Sequence, residues 1–88
     1  MVFLISYVSL ISLNSFALTA KDTRNLMAKE AFDTNIYRIE SAARSGECKT
    51  EAFLTKDISV NITMFKKLEK LGYKILDIPN KMIILWCE

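Results

Sequence analysis

The chain reads as one small α+β domain, ordered helix, strand, helix, strand, strand, with a C-terminal β-hairpin and an apolar N-terminal segment in front. Three observations carry that reading. An apolar stripe of helical period runs from Ala28 to Ala43 and stops at Gly46. A second helical stripe stops at Gly72. Two apolar runs then flank Pro79-Asn80-Lys81. With 88 residues there is room for one small domain and no more.

The first helix is predicted from Ala28, Phe32, Ile36, Ile39 and Ala43, which step by four, four, three and four residues. Thr19 or Asp22 can cap its start, because a side-chain oxygen there accepts a hydrogen bond from a free first-turn N–H. Gly46 sits where a left-handed residue ends a helix. An apolar face this long needs a flat partner, and a sheet supplies one.

Cys48–Leu54 follows the helix stop directly and is predicted as a short strand. Ile58, Val60 and Ile62 alternate with polar residues, as a strand would. However, Ile58, Ile62, Phe65 and Leu68 also recur at helical spacing, and Met64 and Leu71 extend that face. A helix over 58–71 is therefore expected, with Asp57 or Ser59 as its cap. Tyr73–Ile78 and Met82–Cys87 complete the chain as two strands. Pro fixes φ and Asn tolerates the left-handed region, so the joint between them is an antiparallel hairpin. Met82–Cys87 is apolar throughout, as in a strand that is central in its sheet or covered on both faces.

Charge divides the chain into 1–20 and 21–88. All 12 basic and 10 acidic side chains lie at or after Lys21. Residues 1–20 are long enough to span a bilayer as a helix. They also suit a signal peptide, with Ser15-Phe16-Ala17 as a small-x-small cleavage site. No Lys or Arg precedes the apolar run, and Ser6, Ser9, Ser12 and Ser15 lower its hydrophobicity. A start codon assigned too far upstream is the third reading, with synthesis then beginning near Leu18 or Thr19.

Ala42-Ala43-Arg44-Ser45-Gly46-Glu47, Leu68-Glu69-Lys70-Leu71-Gly72-Tyr73 and the terminal Leu85-Trp86 together give a recognisable pattern. Over residues 19–88 the chain resembles the short α+β proteins encoded in tailed-phage and prophage genomes. In that group a segment like Thr19-Ala20-Lys21-Asp22 lies close to the start of the protein, so the resemblance implies the downstream start. It also implies an accessory protein of phage type, and it transfers no catalytic residue.

Composition narrows the chemistry. There is no His, so the commonest general base and metal ligand are both missing. Cys48 and Cys87 form neither a CxxC pair nor a zinc motif. In a reducing cytosol two free thiols are expected. In an exported chain with the first and third strands adjacent, a disulfide is expected instead. No glycine-rich phosphate loop is present. Glu30, Asp33, Glu40, Glu47 and Glu51 show no spacing that selects a catalytic pair, and Trp86 suits the core better than a ligand platform. No cofactor and no metal are expected.

Lys66, Lys67, Lys70 and Lys74, with Tyr73 beside them, form the one basic cluster. It suits a nucleic-acid backbone, with Tyr73 stacking on a base. It equally suits a solvated helix end whose lysines face the negative pole of the helix dipole. The net charge of +2 favours the second reading. The resulting expectation is a non-enzymatic, phage-type accessory protein in the host cytoplasm that binds a host protein or a small ligand. The alternatives are a membrane-tethered envelope protein held by residues 1–20, with a role in superinfection, and a weak nucleic-acid binder. A core this small also leaves apolar surface that self-association would hide.

Overall fold

A computed structural model describes residues 18–87. The segment 1–17, on which the signal, anchor and start-site readings fall, lies outside the described residues. The elements are α1 (Ala20–Arg44), β1 (Lys49–Glu51), α2 (Ile58–Lys70), β2 (Lys74–Ile78) and β3 (Lys81–Leu85), in the order the sequence predicts. They form an α+β domain with a three-stranded antiparallel sheet in the order β1-β3-β2.

Each helix is bounded by the chemistry anticipated for it. Thr19, rather than Asp22, caps α1, its hydroxyl oxygen accepting from the Asp22 N–H at 3.0 Å. Asp57 caps α2 by accepting from the Ser59 and Val60 N–H groups. Both helices end in the same hydrogen-bond pattern. Glu47 N–H reaches back to Ala42 O and Gly46 N–H to Ala43 O, just as Tyr73 reaches Leu68 and Gly72 reaches Glu69. That pattern needs a left-handed residue, and Gly46 and Gly72 supply it at φ +82° and +100°. Asn80, at φ +72° after Pro79, gives the β2–β3 hairpin the signature of a type II turn.

Both helices pack on one face of the sheet. Ala31 and Ile39 of α1 meet Met64 and Leu68 of α2 over Ile84 of β3, and Ala52 completes the core. Phe32, Ile36, Tyr73, Ile75, Met82 and Trp86 close around it, half-buried. β3 sits between the two others, as its apolar run from Met82 to Leu85 anticipates. Because β1 and β2 pair with opposite edges of β3, α2 must carry the chain across the sheet, and its buried face is the consequence.

Four expectations are corrected. On α2 the buried face is Val60, Met64 and Leu68, whereas Ile58, Ile62 and Leu71, predicted to share it, are exposed. The first strand is not Cys48–Leu54 but Lys49–Glu51. Ala52 N–H still bonds Met82 O at 2.8 Å, after which Phe53 turns away to a partner on α1. The stripe on α1 is also displaced. Ala43 is exposed, whereas Asn35 is wholly buried between the predicted apolar positions. Finally, the last strand stops at Leu85, and Trp86 continues only through its N–H bond to Cys48 O.

Candidate functional site

Antiparallel pairing of β1 with β3 sets Lys49 opposite Leu85, so Cys48 and Cys87 flank the same end of the sheet. Their sulfurs are joined in a disulfide, with the Cα atoms 5.2 Å apart. The structure therefore does not hold the free thiols expected of a cytosolic chain. The bond ties the entry of the three-residue edge strand to the end of β3. Both cysteines are exposed, which leaves the bond open to reductant.

The chain between β1 and α2 is held by two asparagines that sequence reasoning passed over. Asn35 accepts the Phe53 N–H at 2.7 Å and donates to Phe53 O at 3.1 Å, and it also bonds Ala31 O. It satisfies that backbone as a neighbouring strand would, while itself fully buried. Asn61 does the same for Thr55, accepting from its N–H and donating to its carbonyl. A polar residue inside an apolar stripe of period 3.6 is the one signal in the sequence that points to Asn35. Arg38 covers the outer edge of β1. Its guanidinium donates to Glu51 O at 3.2 Å and lies over the Phe53 ring.

The predicted basic cluster is not one surface. Lys66, Lys67 and Lys70 lie on α2, and the Lys67 ammonium stands 5.7 Å from the centroid of the Phe32 ring. Lys74 lies on β2 beside Ile75. Since Ile75 points into the core, strand alternation puts Lys74 on the opposite face of the sheet, away from α2. Tyr73 is not a free stacking platform either. Its ring is half-buried and meets Trp86 edge-on at 6.3 Å. Trp86 accordingly belongs with the core, as expected.

The same alternation exposes a second face that the helices do not cover. Its rows read Lys49–Leu85–Lys74 and Glu51–Ile83–Leu76 across β1, β3 and β2, followed by the Lys81–Ile78 pair near the hairpin. Ile78, Ile83 and Leu85 are half-buried among their neighbours, and Leu76 is 46% exposed. Among the described residues no element lies on this face. The apolar centre is thus rimmed by three ammonium groups and one carboxylate.

Elsewhere a shallow polar cleft of about 410 Å³ runs between α1 and β1, lined by Tyr37, Arg38, Ser41, Ser45, Glu47 and Thr50. Among the described residues two charged groups are shifted from their ordinary values, one at the cap of α2 and one along α1. The Ser59 hydroxyl donates to Asp57 at 2.7 Å and, with the Val60 N–H, holds its carboxyl below the ordinary range. Asp33, bonded to Lys29 at 3.0 Å, raises the lysine above its usual value. Neither described helix is long and apolar enough to cross a membrane. Compared with protein families, curated proteins and solved structures, the chain matches none of them.

Proposed function

We propose that the protein is a non-enzymatic binding domain that works in an oxidising compartment, delivered there by its apolar N-terminal segment. The observation that carries this reading is the Cys48–Cys87 disulfide. Thiols in a reducing cytoplasm stay reduced, whereas small exported domains depend on such bonds because their cores are small. The uncharged residues 1–20 add a matching export or anchoring signal in the sequence. Cleavage after Ala17 would leave the Thr19 cap of α1 in place, while cleavage after Ala20 would remove it.

Binding rather than catalysis is supported by the absence of His from the sequence and by an apolar sheet face with a basic rim that no described element covers. An accessory role of phage type rests on the architectural resemblance alone. The deciding experiment is the intact mass and N-terminal sequence of the chain from its native source, without reduction. The expected product begins at Leu18 and is two hydrogens lighter than the reduced sequence. A chain that keeps residues 1–20 together with the disulfide would support the membrane-tethered form of the same reading. Free thiols on a product starting near Leu18 with an initiator methionine would refute export and restore a cytoplasmic host-binding protein.

A further inference from the structure

We infer that the uncovered sheet face docks an amphipathic helix of a partner protein, one whose apolar stripe is flanked on both sides by carboxylates. This rests on reading the chain as a binding domain and adds the surface and the chemistry of the partner. β3 carries the first argument. Met82-Ile83-Ile84-Leu85-Trp86 is an unbroken apolar run, which is the composition of a strand buried on both faces. Among the described residues only the Ile84 side is covered. Ile83 and Leu85 lie on the other.

Dimensions select a single helix as the cover. Three strands spaced about 4.8 Å apart place the two edges about 10 Å from one another, close to the diameter of one helix with its side chains. Five residues of β3 at about 3.3 Å each run for about 16 Å, or three helical turns. A helix in the groove also completes a layered α/β/α arrangement of ordinary kind.

Charge selects the flanks. Lys49 on β1 and Lys74 on β2 stand on either side of Leu85 in one cross-strand row, and Lys81 adds a third ammonium toward the hairpin. Only Glu51 opposes them on this face. A partner stripe edged by Glu or Asp on both sides would meet these lysines, with the pairs at the solvated rim setting orientation and specificity. A second copy of this chain fits less well, because each copy would bring three lysines and only one glutamate to the contact, leaving an excess of like charge in it. A lipid surface fits less well than a helix, since Ile78, Ile83 and Leu85 are already half-buried and only Leu76 is exposed enough to insert.

The test is a methyl NMR titration of the full chain as the cell processes it. The probes are a synthetic 14-residue amphipathic peptide with a leucine stripe edged by glutamates, the same peptide edged by lysines, and phosphatidylglycerol vesicles. The acidic peptide is expected to shift the methyls of Leu76, Ile83 and Leu85, and the lysine-edged peptide to leave them unmoved. The double variant K49E/K74E is expected to reverse that preference by at least tenfold. Both lysines are exposed, and an unshifted Ile84 methyl would establish that the variant is folded. The inference is overturned if the shifts fall on α1 or α2, if neither peptide binds, or if the face proves buried in a dimer. It is also overturned if vesicles bind while the peptides do not, or if, in a chain that keeps residues 1–17, those residues give contacts to these methyls. An empty titration of an oxidised chain would leave the export reading standing. Free thiols in the native product would overturn that reading and leave a mapped peptide site intact.

Discussion

Breaking the Cys48–Cys87 bond is the perturbation with the largest expected effect on this fold. The bond closes a loop across a sequence separation of 39 residues. Loop-closure entropy at that length amounts to about 4 kcal/mol at 25 °C. A folded unit of this size has a total stability of about 4–10 kcal/mol, so the reduced chain stands near the edge of unfolding. At about 4–8 °C per kcal/mol for a small domain, the melting temperature should fall by about 15–30 °C. β1 is where the loss should concentrate, because its three residues are an edge strand whose entry the bond secures. The assay is thermal unfolding followed by circular dichroism, oxidised against fully reduced, with free thiols counted. The C48A/C87A variant provides the same comparison without reductant. If the reduced and oxidised forms melt within about 5 °C of each other, closure of this loop is not what holds the sheet together, and the argument fails.

Three further outcomes are expected. Asn35→Leu removes both hydrogen bonds to the Phe53 backbone and should cost about 2–4 kcal/mol in a denaturant midpoint, because partly buried groups are left without partners. Amide exchange should quicken first at Phe53, and an unchanged midpoint would disprove the clamp. Gly72→Ala meets no atom within 4 Å, so its expected cost of about 1–2 kcal/mol comes from the backbone at φ +100° alone. An Ala as stable as Gly there would show that the helix end relaxes out of the left-handed region. Asp57 has a folded pKa below its unfolded value, so its contribution is fully present above the unfolded pKa and lost as pH falls through the folded one. Replacing it by Asn, which still caps, should flatten the acid limb of the stability–pH curve and leave the neutral region nearly unchanged; an unaltered acid limb would contradict that linkage.

How much could be read in advance depended on how local each cause was. The bounds of α2 were visible because an Asp cap and a Gly stop act within a few residues of the helix they delimit. The hairpin was visible for the same reason, since Pro79 and Asn80 fix the turn between them. β1 was overestimated because Ala52, Phe53 and Leu54 look like strand residues. Their path is set instead by Asn35, 18 positions earlier in the chain. The lysine cluster was adjacent in sequence but divided in space, because Lys74 follows strand alternation while Lys66, Lys67 and Lys70 follow a helix.

By itself the sequence determined the class of fold, the element order and the helix ends, all of which follow from periodicity and short-range capping. It also determined where charge begins, at Lys21. Only the tertiary structure decided that β3 lies between β1 and β2, and the proposed function draws on that order. The order brings Cys48 to Cys87, gives the lysines of two edge strands one common face, and sets Ile83 and Leu85 between them on the side that no described element covers. The physical reason is that strand neighbours and register are set by the summed burial of distant residues. No local spacing in the chain encodes that sum.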